Sequence, residues 1–218
     1  MNSPETAIVV IGGDHPTAER ANSLRVRADL IVAADSGYDT CLRLGLLPAA
    51  IIGDMDSVTA ELPAGLAGGP QVIKWPRNKD YTDTELAIRW AREQGAQRII
   101  LLGGGGGRLD HVLGIHALFQ RPDAPDAWYT GHDELILIRH YMRTVSRQGI
   151  TVSFFPAGSG ICRARSQGLQ WPLDGLSWNN GDCGISNITT ANELELHIES
   201  GSLAMVRNLG EGDEPFFL

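Results

Sequence analysis

The chain changes rhythm near residue 122, and this constrains its fold more than any other feature. Before that point, short apolar runs at 7–11, 30–34, 49–52, 71–74 and 98–102 alternate with amphipathic, helix-length stretches at 16–27, 38–44, 82–94 and 109–119. Near-continuous apolar strands separated by helices are what a parallel sheet covered on both faces requires. The stretch 82–94 carries its own boundaries: Thr82 as N-cap, Glu85 three residues on to close a capping box, and Gly95 as the stop. After Gln120 the helical period disappears. β-like runs at 134–138, 150–155, 168–171, 193–198 and 202–207 are punctuated by turn residues such as Pro156-Ala157-Gly158 and Asn179-Asn180-Gly181-Asp182, the pattern of an antiparallel sandwich or barrel. Arg121-Pro122-Asp123-Ala124-Pro125-Asp126 reads as the boundary. The expectation is an α/β unit over 1–126, with a Rossmann-like parallel sheet flanked by helices, then an antiparallel β-sandwich or barrel over 127–218.

Composition removes several function classes. The 218 residues carry a formal charge of -8, which argues against a nucleic-acid partner, because phosphate backbones demand clustered Lys and Arg. A nucleotide site built from a few local cations and a metal stays open. Cys41, Cys162 and Cys183 are odd in number and show no C-x-x-C spacing, which reads as reduced thiols in a cytoplasm. The apolar run at 7–11 lacks a basic lead-in and is too short for an export signal. No stretch approaches the roughly 20 apolar residues of a membrane span, so a cytoplasmic protein with no membrane partner is expected.

In a parallel sheet, ligands collect at the carboxyl ends of the strands, and here the sequence places acids repeatedly. Asp35-Ser36-Gly37 follows the second run, Gly53-Asp54-Met55-Asp56-Ser57 the third, and Asn78-Lys79-Asp80-Tyr81-Thr82-Asp83 the fourth; the glycines at 103–107 with Arg108-Leu109-Asp110-His111 follow the fifth. One edge would then hold Asp35, Asp54, Asp56, Asp80, Asp83 and Asp110. Converging carboxylates repel one another and take up protons unless a cation intervenes; Mg2+ held by a few carboxylates and phosphate oxygens is the usual resolution. Any single Asp could instead be a helix cap. Asp54 and Asp56 form the strongest pair, since D-x-D after a buried strand aims alternate carboxylates at one ion. The five glycines read as a phosphate element, their N–H groups open to close approach and followed by the positive end of a helix. Neither G-x-x-x-x-G-K-[ST] nor a strict G-x-G-x-x-G is present. Arg108 offers a planar fork for phosphate; His111 reads as a capping or structural residue rather than a proton carrier.

On these pieces (Ala34-Asp35-Ser36-Gly37, Gly53-Asp54-Met55-Asp56-Ser57, Asn78-Lys79-Asp80-Tyr81-Thr82-Asp83, the segment 103–110 and Gly184-Ile185-Ser186-Asn187) the chain resembles the thiamine pyrophosphokinase family over essentially its whole length. The resemblance implies an ATP-binding catalytic α/β domain (1–126) and a thiamine-binding β domain (127–218). It implies Mg2+, ATP as co-substrate, thiamine as acceptor, and a homodimer with active sites between subunits. By motif position, Asp54, Asp56 and Asp83 become the metal and phosphate carboxylates, with Arg108 and Asp110 as catalytic neighbours. Asp35, Lys79, Asp80, Thr82, Gly104, Gly105, Gly106 and Gly107 fall to the nucleotide. Ser186 and Asn187 resemble the pair that receives the aminopyrimidine, and Trp171 the aromatic that stacks on the substrate; the thiazolium is cationic, and an aromatic face attracts a cation. A core tryptophan is the alternative for Trp171, Trp178 a competitor for its role, and a plain turn residue the alternative for Ser186. Where the family shows Asp-Gly-Gly-Ala-Asn, this chain has Asp35-Ser36-Gly37-Tyr38-Asp39, placing two bulkier side chains, Ser36 and Tyr38, by the expected nucleotide. Leu109 replaces the usual Phe. The rivals are a Mg-dependent nucleotide or phosphate-ester hydrolase on the same acidic edge, and a non-catalytic thiamine or nucleotide sensor.

Overall fold

A computed structural model describes residues 4–63, 69–210 and 213. The described residues divide into two compact units, one of 4–63, 69–112 and 128–131 and one of 113–127, 132–210 and 213. In the first, β1 (Thr6–Val10), β2 (Leu30–Ala34), β3 (Ala50–Gly53), β4 (Gln71–Lys74) and β5 (Arg98–Leu102) pair in parallel, in the order β5-β1-β2-β3-β4. Every run expected to be a strand is one, within a residue at either end. Ala7, Ile8, Val9 and Val10 are fully buried, as are Ile99, Leu101 and Leu102, so the central strands are coated on both faces; each such aliphatic side chain contributes roughly 1.5–3 kcal/mol on burial. β4 is the edge, and its Gln71 and Lys74 are exposed.

Among the described residues, four helices connect or follow these strands: α1 (Ala18–Arg25), α2 (Gly37–Leu44), α3 (Asp83–Glu93) and α4 (Leu109–Leu118). α3 buries Leu86, Ala87, Ile88 and Ala91 against β1, β2 and β3. Its expected capping box is present: Thr82 Oγ1 accepts from Glu85 N at 3.2 Å while Glu85 Oε2 accepts from Thr82 N at 2.8 Å. Gly95, at φ 105, ends it. The short strand β6 (Ala127–Tyr129) lies beside β5, with Gly103 N donating to Tyr129 O.

The second unit is the expected antiparallel sandwich. One sheet runs β11 (Gly184–Ile188), β9 (Thr151–Ala157), β13 (Ser202–Asn208), β7 (Asp133–Ile138); the other runs β10 (Arg163–Gln167), β12 (Glu193–Ser200), β8 (Tyr141–Val145). β12 shows the period of two, with Leu194, Leu196 and Ile198 inward between exposed Glu193 and His197. They meet Ile136, Val152, Phe154, Leu203 and Met205 in one core. The stretch 168–171 is not a strand but a bend, joined to the end of β11 by an isolated Leu169–Thr189 bridge and by Gln170 N donating to Ile188 O at 2.8 Å. Gly168 explains this: at φ 87 its α-carbon backs onto Glu193 O, where a Cβ would stand 2.3 Å away. Among the described residues no helix is long and apolar enough to cross a membrane.

Candidate active site

Three loops at the carboxyl end of the parallel sheet bring their acids together. Carboxylate oxygens of Asp35, Asp54 and Asp83 lie within 4.8 Å of one another, all half-buried. Asp35 follows β2 and is tied to the next strand by its N–H, which donates to Ile52 O at 2.8 Å; it takes φ 47, a left-handed backbone that a non-glycine residue adopts at a cost and mostly at functional positions. Asp54 follows β3, and Asp83 opens α3. Gly53 makes the approach possible: a Cβ there would meet Asp83 Oδ1 at 2.9 Å and Asp35 Cβ at 3.1 Å.

Lys79 compensates part of this charge. Its Nζ lies 3.3 Å from Asp54 Oδ2, as a hydrogen bond, and 3.1 Å from Asp83 Oδ1, as an ion pair outside hydrogen-bond geometry. The N–H of Asp56 on Asp54 holds that carboxyl below its ordinary value, with Lys79 adding to the effect against burial. Burial pushes Asp83 above the ordinary value, and Asp54 and Asp35 add to that shift while Lys79 opposes it. The Lys79 ammonium is raised: burial works against it, and Asp83 and Asp54 outweigh burial. Asp35 Oδ1 and Asp83 Oδ1 are buried without a hydrogen-bond partner. A buried carboxylate oxygen without a partner is costly; Asp35 Oδ1 has none and Asp83 Oδ1 only the Lys79 ammonium, and three clustered acids in that state fit the donor set of a hard divalent cation.

Asp56 stands outside this group. Met55 takes φ 65, turning the chain so that Asp56 pairs with Arg77 Nη2 at 2.7 Å and accepts from Ser57 Oγ at 2.9 Å. Asp80 is exposed, and the Thr82 hydroxyl is engaged in its helix cap.

The glycine run opens fewer N–H groups than five. Gly103 N donates to Tyr129 O, Gly104 N to Gly12 O at 2.8 Å and Gly105 N to Asp14 O at 3.2 Å, while Asp14 N returns a bond to Gly105 O at 2.7 Å. Among the described residues no hydrogen bond uses the N–H of Gly106 or Gly107. Beside them, Arg108 forms a two-point pair with Asp110, Nη2 to Oδ2 at 2.6 Å and Nε to Oδ1 at 3.2 Å. Both side chains are exposed; Arg108 lowers the Asp110 carboxyl, and Asp110 raises the Arg108 guanidinium. His111 is exposed in the first turn of α4. Tyr38, expected by the nucleotide, is 8% exposed and buried in α2.

The loop Gly12-Gly13-Asp14-His15 after β1 carries no motif of its own, although the same strand-end logic applies there. Asp14 braces the glycine run and accepts Gly131 N at 3.2 Å. The roles of Asp39 and Gly53, quoted above only as parts of motifs, and of Arg77 depend on the backbone path, which residue types do not announce.

In the second unit, Ser186 sits at φ 60 where the β11–β9 register shifts between Gly184 and Asn187; such bulges re-aim side chains. Ser186 is exposed, its N–H donating to Ser153 Oγ at 3.2 Å. Asn187 is 6% exposed, and its amide clamps the backbone of Trp171: Oδ1 accepts Trp171 N at 3.2 Å and Nδ2 donates to Trp171 O at 2.7 Å. Oδ1 also accepts Ile188 N at 2.8 Å. Asn187 thus frames Trp171, a residue that is 53% exposed. The competitor Trp178 packs against the core and onto Gly184.

A family model described as thiamin pyrophosphokinase, catalytic domain, matches residues 21–126, and one described as thiamin pyrophosphokinase, vitamin B1 binding domain, matches 137–203. A thiamine pyrophosphokinase of Bacillus subtilis is 25% identical over 215 residues, spanning 94% of this chain and 99% of its own. Among solved structures, thiamine pyrophosphokinase from the same bacterium superposes with a TM-score of 0.75 at 25% identity, covering 94% of this chain and 100% of that one. Thiamin pyrophosphokinase from Geobacillus thermodenitrificans gives a TM-score of 0.70 at 28% identity, covering 94% and 99%. With each of its halves matched by a domain of one family, and nearly its whole length aligned with that family's members, the chain belongs to the thiamine pyrophosphokinase family.

Proposed function

We propose that this protein moves the β,γ-diphosphate of ATP onto the hydroxyl of thiamine, giving thiamine diphosphate and AMP. The observation that carries this reading is the convergence of Asp35, Asp54 and Asp83 in a region matched by the family's catalytic domain. In the reaction the thiamine oxygen bonds to the β-phosphorus and gives up its proton to water, and the bond from that phosphorus to the bridging oxygen of AMP breaks, the electron pair leaving with AMP. Asp35, Asp54 and Asp83 would hold Mg2+, whose charge offsets that on the phosphate oxygens. Lys79 sits among these acids and keeps the group compact. The N–H groups of Gly106 and Gly107, with the Arg108 fork held by Asp110, face phosphate oxygens as fixed donors. A loose transition state needs little base chemistry, and Asp110, exposed and tied to Arg108, is poorly suited to take the proton.

The functional division is taken as 1–126 for ATP and 127–218 for thiamine. Asp56, Asp80 and Thr82 line the nucleotide side. Trp171 stacks on the thiazolium, with Asn187 holding its backbone and Ser186 offering a hydroxyl. A homodimer with active sites between copies, in the cytoplasm, completes the proposal. The test is product analysis: protein, Mg2+, ATP and thiamine should yield AMP and thiamine diphosphate in equal amounts. ADP in place of AMP would report attack at the γ-phosphorus and reject diphosphate transfer. Thiamine-independent release of phosphate would favour a hydrolase.

A further inference from the structure

Asp39 lies in the first turn of α2, is 8% exposed, and is not one of the three clustered acids. Its carboxylate reaches the segment after β3, where Oδ2 accepts Thr59 N at 2.9 Å and Oδ1 accepts Ala60 N at 2.8 Å. Both oxygens of a buried charge are thus spent on two consecutive backbone amides. Burial alone would push this carboxyl up, yet the two N–H groups and the nearby Arg43 outweigh it and leave it below the ordinary value.

The two bonds hold the loop that carries Asp54. Within that loop Met55 takes φ 65, a conformation that persists only when the surroundings over-determine it. Upstream the loop is anchored by β3, where Trp75 N donates to Gly53 O at 2.9 Å, and internally by Asp56 N on Asp54 Oδ1 at 3.2 Å. Asp39 supplies the downstream anchor. The helix that carries it begins two residues after Asp35, with Tyr38 N donating to Asp35 O at 3.0 Å, so the first turn that grips the Asp54 loop is also tied to Asp35.

We propose that Asp39 is a positioning residue for the acidic group, tying the 54–60 loop to the helix beside Asp35 so that Asp35 and Asp54 keep a fixed separation. The consequence for catalysis rests on the reading of Asp35, Asp54 and Asp83 as a cation site; the effect on the loop does not. The full chain carrying Asp39→Ala or Asp39→Asn is compared with wild type by amide hydrogen exchange and by the Mg2+ concentration that half-saturates diphosphate transfer. Losing two charge-assisted bonds should speed exchange of the 54–60 amides about tenfold in Asp39→Ala, with β1 and α3 still protected, and raise the half-saturating Mg2+ about tenfold, with the KM for thiamine within about twofold. Asp39→Asn keeps one acceptor oxygen, so it should fall between the two, about threefold on each measure; it also carries the comparison if Asp39→Ala does not fold. Wild-type exchange at 54–60 in either folded variant overturns the proposal, as does faster exchange with an unmoved Mg2+ requirement. Were wild type to transfer diphosphate without any divalent ion, the cation reading would fail instead, and the exchange contrast would still decide whether Asp39 fixes the loop.

Discussion

The acidic edge of the first unit and the Trp171 corner of the second both hold strained backbone in place, but with opposite chemistry. At the acidic edge the left-handed residues are Asp35 and Met55, the clamps are ionised (Asp39 on Thr59 and Ala60, Lys79 among the acids), and of the buried carboxylate oxygens Asp35 Oδ1 has no hydrogen-bond partner and Asp83 Oδ1 meets only the Lys79 ammonium. At the Trp171 corner the left-handed residue is Ser186, the clamp is the neutral amide of Asn187, and both ends of that amide are satisfied. A site that takes a cation keeps unsatisfied oxygens in reserve; one that takes a flat organic cation needs a settled frame and an open aromatic face. The two should therefore respond to different perturbations.

The largest effect is expected at the acids. Asp54→Ala or Asp83→Ala should lower kcat by about 10²–10³ or more, as removal of a preorganised electrostatic group does, while thiamine affinity by calorimetry stays near wild type; an equal loss of both would break the separation. Asn187→Ala should remove about 1–3 kcal/mol of stability in urea unfolding, because the part-buried backbone groups of Trp171 and the N–H of Ile188 lose their partner, and should raise the KM for thiamine without altering the Mg2+ requirement. Trp171→Ala should raise the KM for thiamine roughly 2- to 30-fold, the range of a cation–π contact worth about 0.5–2 kcal/mol, whereas Trp178→Ala should cost stability and leave that KM within about twofold. The smallest effect is a pH contrast. Asp39 is depressed in the folded state, so its stabilisation is fully present above the unfolded carboxyl value of about 3.9 and is lost as pH falls through the folded value. The Tm gap between wild type and Asp39→Asn should then be constant near neutrality and close below about pH 4, while the gap for Asn187→Ala, a neutral group, should not change with pH.

What the sequence reveals follows the same divide. The five parallel strands and the capped helix α3 are legible because buried strands are apolar throughout and caps are local. β8, β10 and β11 are not: they bury few residues, as in the exposed-buried alternation of Arg163-Ala164-Arg165, and strands at the edges of small sheets need little apolar pattern. At the site, strand-end position was enough to bring Asp54 and Asp83 together on paper. The replacement of Asp56 by Asp35 in the cluster turns on one left-handed residue, Met55, which residue types do not announce. The clamps of Asp39 and Asn187 are equally invisible, since each joins segments many residues apart.

The central claim is that three carboxylates from three strand ends share one divalent ion. Anomalous scattering from crystals grown with ATP and Mn2+ tests it directly. A metal peak is expected within about 2.0–2.6 Å of oxygens of Asp35, Asp54 and Asp83, with phosphate oxygens completing the shell. A peak held by other residues, or Mn2+ bound to ATP with none of these three in contact, would contradict it.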